Sequence, residues 1–441
     1  AGGSYLGWTQ WASAPGATEF LKCAVPVVPF ENGYQDVAYV GGALQLSLVM
    51  GWGSYVGGAN LTPEALQDSF NHLPLNTYGN QFEKPIPYLN DWVIHYTYDD
   101  YWKQRSIDNR YDEIDIPILN IGGWYDIFSK ATIEMVAKVR EKSNSQTEAN
   151  RQFVVIGPWT HGVGNQKVGE LDFGPDAKLD VGELQFQWFE YWLKGKETGV
   201  KEWPAYKLFV MGENCWRGEN EWPLQRTHYT PMYLHSKGNA NSPKPARLSL
   251  HKPADEPVDT FTYDAADPVP TAGGNNLAGA KSGPYDQSEI EQRDDVLAYT
   301  TPPLTKPVEV TGPVKMILYA ASTASDTDFT AKLVDVYPDG KAYNLCDGIL
   351  RARYRHGMDK PELLTPGSIE QYEIDLWVTS NVFKEGHRIR VEISSSNFPR
   401  FDRNPNSGLP FGTDTELLTA TQTIYHNAQY PSHILLPVIP R

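Results

Sequence analysis

The amino-acid sequence predicts a two-part fold, in which an α/β half is followed by an all-β half. In the first half, short apolar runs typical of buried parallel strands alternate with helix-like segments. In the second half, apolar and polar residues alternate with a period of two, which indicates strands with one buried face. At 441 residues the chain is long enough for two or three domains.

Three apolar runs in the first half are predicted strands, over residues 20–28, 116–121 and 153–156. A helix is predicted over residues 127–142, where apolar residues recur among polar ones at helical spacing. Strands and helices in alternation favour βα units that share one mainly parallel sheet. We therefore predict an α/β core built from residues 1–30 and 111–200.

Residues 31–110 interrupt this pattern. Aromatic residues are dense there and the helical signals are short. A stretch of this kind between two sheet strands is typical of an inserted domain. We predict a helical cap over residues 31–110.

The alternation of apolar and polar residues continues towards the end of the chain and predicts a β-sandwich over residues 201–441. Within it, Tyr372, Ile374, Leu376 and Val378 alternate with polar neighbours. Residues 195–204 have the composition of a linker. Residues 239–294 are rich in Pro, Gly, Asn, Asp and Ser, and we expect a long excursion over the surface.

Composition excludes several classes of function. The net charge of −16 argues against nucleic acid and anionic membrane surfaces as partners. No apolar run reaches 18 residues. Cys23, Cys215 and Cys346 are too widely spaced for a disulfide framework or a zinc site, and there is no phosphate-binding or dinucleotide fingerprint. We expect no cofactor and no metal; a homo-oligomer, and a cytoplasmic or exported location, stay open.

The first residues contain a candidate nucleophile, Ser4, flanked by Gly2, Gly3 and Gly7. A serine in a sharp turn between a strand and a helix needs small neighbours, and the helix N-terminus favours developing negative charge. The pattern departs from G-x-S-x-G, because the downstream glycine comes three places after Ser4 and Leu6 occupies the usual position. A Gly-Ser-rich chain start without chemistry is the alternative for this motif alone.

Two further motifs supply the groups that a serine nucleophile needs. A predicted strand runs into glycines and then Asp126, and the next runs through a turn to His161. Both side chains are expected past the carboxyl ends of parallel strands, where open α/β sheets place their sites. The order Ser, Asp, His is that of α/β-hydrolases. Taken singly, the aspartate could be a helix cap and the histidine structural.

The chemistry assigns a role to each residue of this predicted triad. His161 would accept the proton of Ser4, and Asp126 would fix the imidazole tautomer and stabilise the imidazolium. The backbone N–H of Tyr5, directly after the nucleophile, would donate to the oxyanion of the tetrahedral intermediate.

Taken together, the motifs resemble the cocaine esterase and glutaryl-cephalosporin acylase family, with X-prolyl dipeptidyl peptidases as more distant relatives. The resemblance rests on Gly-Gly-Ser-Tyr-Leu-Gly at residues 2–7, Gly-Gly-Trp-Tyr-Asp at 122–126 and Gly-Pro-Trp-Thr-His at 157–161, and extends over essentially the whole chain. It implies an α/β-hydrolase core, a helical cap and a C-terminal jelly-roll sandwich. It also implies ester or amide hydrolysis through an acyl-enzyme.

The resemblance further implies that Trp52 and Phe128 bind the acyl group, with ordinary core packing as the alternative for both. The α-amino acid ester hydrolases of the family carry acidic residues directly after the triad aspartate to bind the substrate ammonium group, whereas Ile127 and Phe128 follow Asp126 here. This departure argues against an α-amino acyl substrate and favours an uncharged or aromatic acyl group. The family's core begins well before the nucleophile and includes a tyrosine that is the second oxyanion donor. We therefore expect an N-terminally truncated core, in which the first strands are absent and activity is in question.

The sequence thus predicts a serine hydrolase that cleaves small-molecule esters or amides. One alternative is a dipeptidyl peptidase of the X-Pro type. Another, from a different class, is a β-sandwich protein that binds carbohydrate or another ligand and carries an inactive hydrolase remnant.

Overall fold

The computed structural model describes residues 1–17, 19–142, 151–241 and 246–441. Within these ranges the strands, in chain order, are β1 (Gly2–Gly3), β2 (Pro26–Val27), β3 (Tyr39–Val40), β4 (Ala43–Leu44), β5 (Ile118–Gly123), β6 (Gln152–Gly157), β7 (Lys167–Val168), β8 (Leu171–Asp172), β9 (Tyr206–Val210), β10 (Cys215–Glu219), β11 (His228–His235), β12 (Ala246–Ser249), β13 (Asp259–Asp264), β14 (Leu297–Thr300), β15 (Val308–Ser322), β16 (Asp328–Val336), β17 (Ala342–Arg351), β18 (Glu370–Phe383), β19 (Arg388–Ser394), β20 (Thr419–Tyr425) and β21 (His433–Ile439).

The α-helices of the described residues are α1 (Tyr5–Ser13), α2 (Leu46–Val56), α3 (Pro63–Ser69), α4 (Pro87–Ile94), α5 (Asp100–Lys103), α6 (Ser129–Lys142) and α7 (Val181–Lys194). A π-helix spans Gly33–Ala38. Short 3₁₀ turns lie at Leu75–Asn80, Tyr111–Glu113, Pro175–Ala177, Val200–Glu202, Ile290–Gln292 and Ala352–Tyr354.

The core sheet has the strand order β1-β2-β5-β6-β9-β10, parallel throughout except for the last pair. Its two central strands, β5 and β6, are buried along their whole length because helices cover both faces. On one face, Asn120 accepts a hydrogen bond from Trp11 of α1 and donates one to α6. On the other, Phe153 meets Trp188 of α7, with ring centroids 5.6 Å apart.

The aromatic residues of the predicted cap form a hydrophobic cluster of their own between α2, α4, α5 and the π-helix. Tyr34 and Tyr39 stack with centroids 4.9 Å apart, and Trp102 packs edge-on against both. The four α-helices of this region are 11, 7, 8 and 4 residues long, in keeping with the short helical signals of the sequence.

The second large sheet belongs to the sandwich and has the order β13-β20-β15-β21-β11-β12-β14-β19-β16-β17, with β18 paired to β15. The predicted alternation is confirmed, because Tyr372, Ile374, Leu376 and Val378 are all fully buried. Strands β16 and β17 are buried at every residue. Both faces of these two strands are therefore covered.

One predicted feature of the second half is wrong. Residues 239–294 do not run only over the surface: β12 pairs with β11 and β14, and β13 pairs with β20. Phe261 and Tyr263 are buried, a short alternation that the surrounding Pro and Gly residues obscure. Residues 242–245 of this stretch lie outside the described residues.

The pairing of β9 and β10 bears on the predicted boundary between core and sandwich. Both strands follow residue 200, yet β9 pairs with β6 in the core sheet. We keep the predicted division as a proposal, with a core of residues 1–30 and 111–200, a cap of residues 31–110 and a sandwich of residues 201–441. The one change is that β9 and β10 are assigned to the core instead of the sandwich.

Two boundaries in the first half also differ from the prediction. The strand expected over residues 20–28 is reduced to β2 and an isolated bridge at Ala24, and Phe20 is exposed. Pro26 cannot donate a ladder hydrogen bond, and Val28 turns the chain with φ of 43°. The helix expected from residue 127 begins at Ser129, because the turn that contains Asp126 occupies the preceding residues.

Candidate active site

Ser4 lies in a sharp turn between β1 and α1. Its φ of 57° and ψ of −124° fall in a region that residues other than glycine rarely adopt. The Ser4 N–H donates to the carbonyl oxygen of Val27 at 2.9 Å, and the Ser4 carbonyl accepts from Gly7 and Trp8 in the first turn of α1. This strained turn from strand to helix is the conformation that presents a nucleophile in α/β-hydrolases.

Two of the three glycines around Ser4, Gly2 and Gly7, are required by close approach. A Cβ atom on Gly7 would lie 2.9 Å from the Val27 carbonyl oxygen, and one on Gly2 would lie 2.8 Å from the Cβ of Leu6. The Leu6 side chain itself is 63% exposed. The usual glycine position is therefore free to carry a leucine, because the chain meets the sheet one residue later, at Gly7.

Strands β5 and β6 end side by side, and the turns that follow them are bonded to each other. Trp124 donates to the Gly157 carbonyl and Tyr125 to the Trp159 carbonyl, both at 2.9 Å. A Cβ atom on Gly123 would lie 2.1 Å from the Trp159 carbonyl oxygen, so the contact depends on glycine. The paired turns bring the residues that follow β5 and β6 to one edge of the sheet.

Asp126 and His161 meet at that edge. Asp126 is fully buried, and its Oδ2 lies 2.5 Å from Nδ1 of His161, while Oδ1 accepts the backbone N–H of Phe128 at 2.9 Å. Burial alone would lower the pKa of His161, but the charge and hydrogen bond of Asp126 together raise that pKa above 6.5. A histidine held at Nδ1 by a carboxylate is suited to act as a general base through Nε2.

Asn275 supports the Asp126 turn from the sandwich side and has no counterpart in the sequence analysis. Its Nδ2 donates to the Trp124 carbonyl at 3.0 Å and to the Asp126 carbonyl at 2.7 Å, and the residue is buried. The partners lie 151 and 149 residues earlier in the chain. No local pattern could have identified this residue.

Ser4 opens into a cavity of about 250 Å³, which we call the substrate cavity. Trp52 and Phe128 both line it, as does Tyr5. The remaining lining residues are Trp8, Phe30, Gly33, Val37, Leu48, Trp92, Trp102, Arg105 and Leu277. The walls are mainly aromatic and aliphatic, which suits an apolar acyl group.

Phe128 lies between Ser4 and the pair formed by His161 and Asp126. Its ring lines the substrate cavity with Ser4 and packs edge-on against His161, with centroids 5.7 Å apart. Within the described ranges, no hydrogen bond joins Ser4 to His161. Catalytic hydrogen bonds are often long before substrate binds, so the missing bond does not by itself exclude proton transfer between the two residues.

The part of the chain that the structure describes contains no cluster of three or more His, Cys, Asp or Glu residues suited to a metal ion. None of the helices in the described residues combines the length and apolarity needed to cross a membrane.

Comparison with known proteins places this geometry in a family. Residues 1–163 match the X-Pro dipeptidyl-peptidase family S15, and residues 198–435 match the X-Pro dipeptidyl-peptidase C-terminal non-catalytic domain. Cocaine esterase from Rhodococcus sp. (strain MB1 Bresler) is 38% identical over the whole of this chain and 80% of the relative. The chain belongs to the cocaine esterase and X-Pro dipeptidyl-peptidase family. The predicted resemblance is confirmed, and the protein is a serine hydrolase that acts on ester or amide bonds.

Solved structures confirm the predicted fold class, an α/β-hydrolase followed by a C-terminal jelly roll. An aminopeptidase from the marine sediment archaeon Thaumarchaeota archaeon has a TM-score of 0.86 and 25% identity, over all of this chain and 76% of its own. A selenomethionine-labelled α-amino acid ester hydrolase has a TM-score of 0.85 and 24% identity, over 99% of this chain and 76% of its own.

Proposed function

We propose that Ser4, His161 and Asp126 form the catalytic triad of an acyl esterase or acylase that cleaves small-molecule substrates through an acyl-enzyme. One observation carries the proposal: a strained serine opens into an apolar cavity, one wall of which contacts a histidine bonded to a buried carboxylate. Cocaine esterase, a relative at 38% identity, bears the name of an ester hydrolase.

In the first step, His161 Nε2 takes the Ser4 proton while Ser4 Oγ attacks the substrate carbonyl carbon. The negative charge that develops on the carbonyl oxygen is stabilised by the N–H of Tyr5, which heads α1. His161 then returns the proton to the leaving alcohol or amine. A water molecule, deprotonated by the same histidine, releases the acid and restores Ser4.

The substrate cavity would hold the acyl group, with Trp52 and Phe128 as its aromatic walls. Trp52 stacks near-parallel with Trp92 at a centroid distance of 6.3 Å, which makes a flat apolar surface. We infer that the preferred acyl group is uncharged and aromatic or bulky aliphatic, because transfer of a charged group into such walls is costly.

An X-Pro dipeptidyl-peptidase activity is the second candidate, favoured by the family match over residues 1–163. Its substrates carry an N-terminal ammonium group, which needs a carboxylate when it is buried. Among the described residues that line the substrate cavity, none is Asp or Glu, and the charged residue present is Arg105. This composition favours the esterase over the peptidase.

The triad is tested with a short p-nitrophenyl ester and with a fluorophosphonate probe, which labels activated serines. We expect wild-type protein to hydrolyse the ester and to be labelled, and Ser4→Ala to do neither. Ser13→Ala is the matched control, because Ser13 ends the same helix and is exposed. Turnover or labelling that survives in Ser4→Ala would refute the assignment of the nucleophile.

Two further results separate the alternatives. Faster cleavage of an X-Pro anilide than of the ester would favour the dipeptidyl peptidase. Wild-type protein that neither labels nor turns over, yet binds an oligosaccharide, would favour a ligand-binding sandwich with an inactive hydrolase remnant.

A further inference from the structure

The π-helix Gly33–Ala38 separates two cavities. Gly33 and Val37 line the substrate cavity, whereas Asp36 lines a second cavity of about 210 Å³. We call the second one the junction cavity, because its walls come from the cap, from α6 and from strands β17 and β18 of the sandwich. The π-helix is therefore a thin wall, with the proposed acyl site on one side and a polar space on the other.

The Asp36 carboxylate fixes the turn that enters this helix. Its Oδ2 accepts the backbone N–H groups of Glu31 and Asn32, both at 2.8 Å. The Asn32 side chain in turn caps the π-helix by accepting from Tyr34 and Gln35. The bonded turn thus lies between Phe30 and Gly33.

Phe30 and Gly33 both line the substrate cavity, and Phe30 stacks on Trp8 with a centroid distance of 5.3 Å and an interplanar angle of 8°. A shift of the turn would therefore move an aromatic wall of the cavity. Phe30 also contacts Phe128, the ring that packs on His161.

The charges that face Asp36 leave it without an ion-pair partner among the described residues. From α6 come Lys130, Glu134 and Lys138, from β18 come Glu373 and Asp375, and from the turn itself comes Glu31. The two cations are engaged elsewhere, since Lys130 pairs with Asp375 and Lys138 pairs with Glu31. Burial and, to a smaller extent, the Glu31 charge raise the pKa of Asp36 to about 7, against the opposing influence of the two backbone hydrogen bonds and of the Lys138 charge.

We propose that Asp36 is a positioning residue, whose ionised carboxylate holds the π-helix so that the substrate cavity keeps its binding shape. The proposal rests on the assignment of that cavity as the acyl site. Hydrogen bonds to an ionised acceptor are roughly twice as strong as those to a neutral one, so protonation of Asp36 weakens both bonds to the turn. Ligand affinity should therefore fall as the pH drops through about 7.

The experiment uses Ser4→Ala protein, which binds without turnover, and benzamide, which is uncharged throughout the pH range. Calorimetric titration between pH 5.5 and 8.5 should give a Kd that rises about three- to tenfold towards low pH, the loss expected from weakening two hydrogen bonds. The same rise is expected in S4A/H161A, because His161 is not the titrating group responsible.

In S4A/D36N the Kd should be independent of pH, because the amide does not ionise. S4A/E134Q is the matched control, since Glu134 lines the junction cavity without bonding the turn, and it should keep the pH dependence. Circular dichroism at each pH checks that every variant is folded. If S4A/D36N is not folded, the test rests on whether the Kd of S4A/H161A still depends on pH.

The outcomes distinguish the two proposals. A pH-independent Kd in S4A/H161A, or an unchanged pH dependence in folded S4A/D36N, overturns the role of Asp36 and leaves the acyl site intact. Failure of benzamide to bind at any pH overturns the acyl site itself and the positioning role that depends on it.

Discussion

Asp126 controls the ionisation of His161 in this site. The imidazole is largely enclosed, and burial by itself would favour the neutral ring. The buried carboxylate 2.5 Å away reverses this preference and raises the pKa of His161. In the proposed mechanism the same pair keeps the proton on Nδ1 and leaves Nε2 as the general base.

The first prediction concerns the pH dependence of activity. A protonated His161 cannot accept the Ser4 proton, so kcat/KM should fall as the pH drops below a midpoint above 6.5. The Asp126→Asn substitution removes the carboxylate charge that raises the pKa of His161, whereas the burial that lowers this pKa remains. The pKa of His161 should therefore lie below 6.5 in this variant. NMR titration of the ring tests this shift directly.

Asp126→Asn should also lower kcat/KM by about 10⁴-fold, the typical loss when a triad carboxylate becomes an amide and the imidazole tautomer is wrong. Asp99→Asn is a suitable control, because Asp99 also bonds a histidine Nδ1 but lies in the cap. If the fall in kcat/KM at low pH has the same midpoint in Asp126→Asn as in the wild type, Asp126 does not set the pKa of His161.

Sequence reasoning proposed Ser4, Asp126 and His161 because each lies in a short glycine-containing motif at the end of a strand. It could not locate Asn275 or Asp36. Asn275 donates to carbonyls about 150 residues away, and Asp36 matters through a turn whose partners are backbone N–H groups. Neither kind of contact can be predicted from the spacing of residue types along the chain.

At the scale of single elements, the turn that holds the proposed nucleophile, Ser4, makes two close contacts with one carbonyl group. The Val27 oxygen accepts the Ser4 N–H and is also the atom that a Cβ on Gly7 would approach to 2.9 Å. Packing of α1 on β2 and the position of the nucleophile are thus linked through the same atom.

The second prediction uses a matched pair of glycines in this element. Gly7→Ala should lower the free energy of unfolding by up to about 2 kcal/mol, because overpacking costs about 1–3 kcal/mol and the gain in helix propensity offsets about 1 kcal/mol. Ester hydrolysis should fall as well, since Val27 must move. Both are measured by urea unfolding and steady-state kinetics.

Gly3→Ala serves as the control, because a Cβ there would meet nothing closer than 3.7 Å. Its stability should change by no more than about 0.5 kcal/mol. Equal effects of the two substitutions would show that the approach of Gly7 to the sheet does not constrain the turn.

Elements were predictable where the chain follows one period without interruption. The continuous apolar runs that became β5 and β6, and the alternation in β18, were identified correctly. Strand β13 was missed, because its six residues are surrounded by Pro, Gly, Asn and Asp that indicate loop. Its place in the sheet is set by pairing with β20, a partner more than 150 residues later.

At the scale of the whole molecule, residues of the sandwich contact the edge of the core where the proposed active site lies. The Asn275 side chain donates to the carbonyl groups of the Asp126 turn. The Tyr125 hydroxyl donates to the Asn344 carbonyl at 3.3 Å, and Lys130 forms an ion pair with Asp375. Each of these contacts joins a residue next to the site to a residue of the second half.

The third prediction tests this coupling. Asn275→Ala leaves two carbonyl oxygens without the buried amide, so we expect a loss of about 1–3 kcal/mol in stability and roughly a tenfold fall in kcat. Asn276→Ala is the control, because that amide is equally buried but donates within its own loop, to Gly273 and Lys281.

Asn276→Ala should lower stability by a similar amount and change kcat much less. Differential scanning calorimetry and ester kinetics on both variants make the comparison. Equal kinetic effects would mean that the loop as a whole, rather than the amide of Asn275, orients the Asp126 turn.

The amide of Asn275 has a consequence for protein engineering. It lies in the region that matches a C-terminal non-catalytic domain, residues 198–435, yet it contacts the residue bonded to the proposed general base. Grafting the β-rich half of another hydrolase onto this chain would therefore have to supply a donor at the same point in space. Because Asn275 of the second half bonds the Asp126 turn of the first, we expect that the two halves cannot be exchanged as independent modules.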